Sequence, residues 1–147
     1  WFQRGVLILA VAGMIVAGLL TSFHYSEAAD KKFCSAAGGC ETVNTSKYAT
    51  VGPVPVAVIG LAGYVAIAAV VLASTRSARL RRMAPIAVFG MAFIGVLYSA
   101  YLTYLELYVI HAICPWCVGS AVLITATCAV ALVELRRTAA AERAAAS

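Results

Sequence analysis

Charge is what this chain has least of. Of its 147 residues, 12% are Asp, Glu, Lys or Arg and 63% are hydrophobic, for a mean hydropathy of +0.94. An ordinary soluble domain is about 25% charged and about 45–50% apolar. Too little polar surface is present to clothe a water-exposed globule, and too much apolar side chain for a disordered one. A dense basic face is also missing. The net charge is +5, but eleven basic residues scattered through an apolar chain do not make a nucleic-acid surface. The alternating segments of about ten residues that build membrane β-barrels are absent as well. Four long stretches contain no Asp, Glu, Lys or Arg: Val6–Phe23, Val54–Ser74, Pro85–Tyr104 and Ile113–Val133. Each has roughly the 20 residues a helix needs to cross the hydrocarbon core. They predict an all-α integral membrane four-helix bundle, with residues 1–147 forming one transmembrane domain. Gly13 and Gly18, Gly60 and Gly63, and Gly90 and Gly95 are expected to let these helices approach closely. The first run is long for a signal peptide and Ser26–Ala29 is a poor cleavage site, so it is read as a retained span.

Arginine is missing from one side of the membrane. Arg4, the Arg76–Arg82 cluster, Arg136, Arg137 and Arg143 all fall in flanks that alternate onto the same side. The opposite loops carry only Lys31, Lys32 and Lys47, against Glu27, Asp30, Glu41 and Glu106. By the positive-inside rule both termini are cytoplasmic, and the loops at 24–52 and 106–111 face outward. In a bacterium this is a multi-pass protein of the inner membrane with its outer loops in the periplasm. The basic balance thus reports topology.

Four of the five cysteines lie on that outer side, where the compartment is oxidising. Cys34 and Cys40 are spaced C-x5-C in the long first loop, beside the flexible Gly38–Gly39. Cys114 and Cys117 form C-P-W-C at the start of the fourth span. A cysteine at a helix N-terminus meets unsatisfied N–H groups and the positive end of the dipole, which favour thiolate. Pro115 suits the first helical turn, where its missing N–H costs nothing. Thiolate is the attacking species in disulfide exchange, so this dithiol is suited to redox cycling. Its place at the lipid boundary brings Cys117 within reach of a lipid-soluble electron acceptor.

Blander readings compete. C-P-W-C serves also as half of a zinc site, completed by Cys34, Cys40, His24 or His111, but zinc has no evident use in such a bundle and no metal is expected. Cys34–Cys40 also reads as a structural staple, a weaker reading beside a second pair on the same face. Cys128, mid-span, is a packing residue. His24 and His111 sit at membrane boundaries in interface or capping roles. Tyr98, Tyr101, Tyr104 and Tyr108 read as an interfacial belt, with Tyr101 and Tyr104 as candidates for lining a quinone pocket. Glu106 reads as a solvated loop carboxylate, with a proton relay as the sharper alternative.

Four spans, an outer-loop cysteine pair and a C-x-x-C opening the last span resemble the bacterial homologues of vitamin K epoxide reductase. Ser46 follows Cys40 by six residues, where that family has Ser or Thr. Ser46–Ala49 running into Gly52–Pro55, and Gly60–Tyr64, are also of the family's type. The resemblance covers the chain from the first span to the fourth. It implies four helices around a quinone, menaquinone or ubiquinone, capped by a short, partly helical loop segment. It further implies that Cys34 exchanges with a periplasmic thioredoxin-like, DsbA-like protein, that Cys40 passes electrons to Cys114, and that Cys117 reduces the quinone near Ser46. Some members carry a fused thioredoxin-like domain; this chain ends soon after its fourth span, so the partner is expected to act in trans. Where the animal enzymes have a Tyr four residues after the C-x-x-C, this chain has Ala121, which points to quinone reduction rather than epoxide reduction. The DsbB family also has four spans and two cysteine pairs, but its C-x-x-C lies in the first outer loop. The expected function is therefore a quinone-dependent thiol-disulfide oxidoreductase; the alternative is a non-catalytic scaffold with structural outer disulfides.

The topology is checked by cysteine labelling in intact cells. Lys47→Cys is expected to react with a membrane-impermeant maleimide from outside, and Ser77→Cys only after permeabilisation. The reverse pattern would invert the assignment.

Overall fold

In hydrocarbon, where no water is available, a spanning segment must satisfy its own backbone hydrogen bonds, and each uncharged run does so as a helix. The computed structural model of the chain describes residues 1–26, 39, 42–43 and 45–146. Helix α1 is Phe2–Tyr25, α2 is Val56–Ser74, α3 is Ala78–Leu105 and α4 is Pro115–Ala146. A single π-helical turn, Glu106–Ile110, extends α3. All four are long and apolar enough to span a membrane. The chain is an all-α, multi-pass membrane protein.

Three of the helices outrun their uncharged stretches. The 19 residues of α2 rise about 28 Å, close to the hydrocarbon thickness of about 30 Å. Helix α3 instead starts seven residues before Pro85, taking in Arg79, Arg81 and Arg82, and α4 continues past Val133 through Arg143. Backbone hydrogen bonding does not stop where lipid does, and long basic side chains keep their charges in water while their stems cover apolar surface.

The helices form a ring in chain order, α1 packing on α2 and α4, and α3 packing on α2 and α4. Large apolar side chains face outward, with Ile8, Ile15, Ile86, Ile94 and Val122 at least 60% exposed, as suits a lipid environment. Inside, the half nearest the Arg76–Arg82 turn is closed. Val6, Ala10 and Ala17 of α1 meet Ile67 and Val71 of α2, Val88 and Ala92 of α3 and Ala131 of α4. Their one-turn spacing keeps small side chains on the inner seam, where contact distance rather than hydrophobic burial drives association. Gln3 Nε2 donates to Ser74 Oγ at 3.0 Å, and the Arg137 guanidinium lies 4.7 Å from the Trp1 ring centre, tying α1 to α2 and α4 at this end.

Close helix approach does not rest on all six glycines. A β-carbon on Gly13 would overlap the Tyr64 ring, and one on Gly95 would press on Ile124. Gly18, Gly60, Gly63 and Gly90 have open space where a β-carbon would go. Glycine spacing alone does not say which face is turned inward.

At the opposite end the loop before α2 forms a small antiparallel hairpin, β1 (Thr50–Val51) with β2 (Val54–Pro55), pairing Thr50 with Pro55 and Val51 with Val54. Gly52 supplies the positive φ of +62° at the turn, a conformation open mainly to glycine.

Gly13→Ala is expected to destabilise the bundle by about 1–3 kcal/mol, the usual effect of overpacking, while Gly18→Ala leaves stability unchanged. Thermal unfolding of both purified variants in detergent measures the contrast.

Candidate active site

The chain between α3 and α4 is short, and its geometry follows from hydrogen bonds to one residue. The π-helical turn ends at His111, which takes the left-handed conformation at φ 56°. The His111 N–H and the Ala112 N–H both donate to the Glu106 carbonyl, the latter at 3.1 Å. The reversed chain reaches Cys114, which caps α4: its carbonyl accepts the Val118 N–H at 3.1 Å, and Pro115 occupies the first helical position. The Cys117 N–H donates to Cys114 Sγ at 3.4 Å, so sulfur does what a Ser or Asp oxygen does at an ordinary N-cap. The Cys114 N–H donates to Glu106 Oε2 at 3.2 Å. Negative charge on the sulfur or the carboxylate is favoured here by the positive end of the α4 dipole. Trp116, between the cysteines, packs edge-on against Phe23 with ring centres 6.3 Å apart and fastens the motif to the end of α1. Leu20, Phe23 and Cys114 form the small core beneath it.

Behind this turn the bundle opens into a cavity of about 590 Å³, within the size range of small-molecule sites. Its walls are mostly apolar, from α2 (Ile59, Gly60, Gly63, Ile67) and α3 (Met91, Ile94, Gly95, Leu102). Ile59 and Ile94 also lie on the outer surface of the bundle, so the cavity wall is thin between α2 and α3. Val43, Ser46, Tyr48, Ala49 and Val51 cover its outer end. Its polar groups are few and include Ser46, Tyr64, Tyr98, Ser120 and Glu106. Cys114 and Cys117 both line it.

Cys34 and Cys40 lie outside the described residues. Gly39, immediately before Cys40, is described, and it is buried against the Ile113 backbone, immediately before Cys114. A β-carbon on Gly39 would collide with the Ile113 carbonyl, so glycine is required for this approach. Ser46 lines the cavity. Its hydroxyl donates to the Val43 carbonyl at 2.7 Å, which uses its one donor and leaves acceptor lone pairs.

Tyr101 and Tyr104 do not line the cavity. They are 53% and 56% exposed and point away from it. At about 100° per residue, the inward sector of α3 passes through Met91, Gly95, Tyr98 and Leu102, and Tyr104 falls on the opposite face. Tyr98 is the member of that aromatic set that faces the cavity. Tyr64 is a second tyrosine at the wall; its hydroxyl donates to the Ser120 carbonyl at 2.9 Å and lies 3.2 Å from Ser120 Oγ. Glu106 is also corrected. It is 4% exposed, not a solvated loop group, because the π-helical turn carries it inward. One sequence signal could have marked it: Glu106 is the only acidic residue between Glu41 and Glu134.

A cysteine pair at a helix start, opening onto an apolar chamber inside a membrane bundle, is the arrangement of a membrane oxidoreductase. Residues 5–132 match the sequence model of the vitamin K epoxide reductase family. The match covers most of the 147 residues, and the chain belongs to that family.

Gly39→Ala is expected to displace the outer loop from the α3–α4 turn. Amide exchange over residues 111–114 should rise about tenfold, corresponding to about 1.4 kcal/mol of local stability, with the α1 and α2 amides unchanged.

Proposed function

We propose that this protein reoxidises a thioredoxin-like, DsbA-like partner on the outer face of a bacterial inner membrane and delivers the electrons to a quinone. The partner's thiolate attacks Cys34 of a Cys34–Cys40 disulfide and its second thiol resolves the mixed disulfide, leaving Cys34 and Cys40 as thiols. Cys40 then attacks Cys114 of a Cys114–Cys117 disulfide and releases Cys117 as thiolate. Attack of Cys34 on the Cys40–Cys114 bond completes the transfer, with two electrons and two protons now held by Cys114 and Cys117. A quinone bound in the cavity accepts both electrons and both protons, which restores the Cys114–Cys117 disulfide.

The observation that carries this reading is that Cys114 and Cys117 line an apolar cavity from the start of α4. The residues fit a lipid-soluble ring: the chamber is closed toward the arginine-rich end and its polar groups are sparse, as in sites that orient a largely apolar ligand. Tyr64, Tyr98 and Ser46 are the cavity hydroxyls on which a ring carbonyl or hydroxyl would draw, rather than Tyr101 and Tyr104. The packing of Gly39 on Ile113, each one residue before a cysteine, supports exchange between Cys40 and Cys114. Cys117 shares the cavity wall with the Glu106 carboxylate.

The test mixes purified protein, a reduced thioredoxin-like protein and a menaquinone or ubiquinone analogue, and follows quinol formation. Wild type is expected to turn over and Cys117→Ala to fall to background, while Cys128→Ala keeps the wild-type rate. A Cys117→Ala variant that retains turnover would overturn the relay.

A further inference from the structure

Glu106 is buried and ionisable within the apolar helical span Ala78–Ile110, whereas the other described acids, Glu134 and Glu142, lie on α4 beyond its uncharged stretch. An ionisable side chain in such a place is costly and points to function. Its surroundings are specific. Oε2 accepts the Cys114 N–H at 3.2 Å, the Cys117 side chain is close enough to interact with the same carboxylate, and the Glu106 carbonyl holds the turn that leads to Cys114. The residue sits in a π-helical turn, a local irregularity frequent at functional sites, and its side chain lines the same cavity as both sulfurs. The titratable groups that share the cavity with it are Cys114 and Cys117 of α4, Tyr64 of α2, Tyr98 of α3 and Tyr48 of the covering loop. Among the described lining residues there is no Lys, Arg or His, so no fixed cation there competes for the carboxylate.

Oxidising a dithiol to a disulfide removes two electrons and two protons, and the attacking sulfur must lose its proton first. A base at hydrogen-bonding distance supplies that step without waiting for hydroxide. We propose that Glu106 is the proton acceptor for Cys117: its carboxylate takes the thiol proton as the electron pair leaves the sulfur, and passes that proton on to the two-electron acceptor. Cys114 then closes the disulfide and gives up the second proton. The bond formed is Cys114–Cys117 and the bonds broken are two S–H bonds. The electron acceptor is the quinone of the proposed function, or in the test below the thiol oxidant diamide, which also takes up two electrons and two protons. The inference rests on the cysteine relay for its setting, but proton transfer to Glu106 is measurable without a quinone.

The experiment uses the full chain in lipid nanodiscs, reduced with a phosphine and oxidised with diamide, with Trp116 fluorescence reporting the state of its neighbouring cysteines. For wild type the oxidation rate is expected to vary little with pH around neutrality. Glu106→Gln keeps an acceptor for the Cys114 N–H but loses the base, so its rate should fall about a hundredfold at pH 7 and climb about tenfold per pH unit. Glu106→Asp should recover a flat profile at an intermediate rate. A reduced-minus-oxidised infrared difference spectrum of wild type labelled with 13C-glutamate should contain a shifted carboxyl band that is absent from the Gln variant. A Gln variant with the wild-type rate and a flat profile would overturn the proposal, as would a wild-type spectrum without a redox-linked glutamate band. Equal loss in the Gln and Asp variants with unaltered pH dependence would also overturn it, leaving Glu106 only to position Cys114. Should wild type follow the expected profile with diamide but form no quinol, the quinone reading fails and the role of Glu106 stands.

Discussion

A helix in lipid satisfies its backbone everywhere except at its ends, and the organisation of this protein follows from how the start of α4 meets that demand. The first N–H groups of a helix have no intrahelical partner, and here the cap lies buried within the bundle, Cys114 being 1% exposed. Pro115 removes one donor from the account. Cys114 Sγ takes the Cys117 N–H, and the Glu106 carboxylate takes the Cys114 N–H. The groups that complete the helix are therefore a sulfur and an acid, both reactive, both held in place by the need to cap. Backbone satisfaction thus fixes Glu106, Cys114 and Cys117 beside one another at the cavity.

The bundle divides the remaining work along its length. Toward the arginine-rich end, small residues at one-turn spacing let four helices close on one another, with Gln3–Ser74 and Arg137–Trp1 contacts across the seam. Toward the cysteine end the helices stand apart around the cavity. Tyr64 joins the two regions: its ring lies against Gly13, and its hydroxyl crosses to Ser120 on α4. A chamber inside four packed helices needs such long polar spacers, because side chains short enough to close the other half cannot reach across it.

Much of this was legible along the chain. The uncharged runs located four helices because the cost of a charge in hydrocarbon is large and local. The arginines marked one end, and C-P-W-C marked a helix start, since proline is favoured where an N–H is not needed. The order of the two cysteine motifs pointed to the vitamin K epoxide reductase family, to which the chain belongs. Less legible were the orientations within each helix. Gly18, Gly60, Gly63 and Gly90 carried the small-residue signal without the close contact. Tyr101 and Tyr104 carried the aromatic signal while facing away from the cavity.

What the sequence determined by itself was the solvent: its apolar runs commit the chain to helices in a membrane, whatever their rotation. Which side chains those helices turn toward one another was decided only in the tertiary structure. Along α3 from Pro85 onward nearly every residue is apolar or aromatic, so its inner and outer faces differ little in composition, and lipid gives no amphipathic stripe by which to tell them apart. Packing against α2 and α4 sets the rotation that brings Tyr98 to the cavity and leaves Tyr104 outside. The same rotation, continued through the π-helical turn, moves Glu106 from an apparent loop to the start of α4, where it accepts the Cys114 N–H.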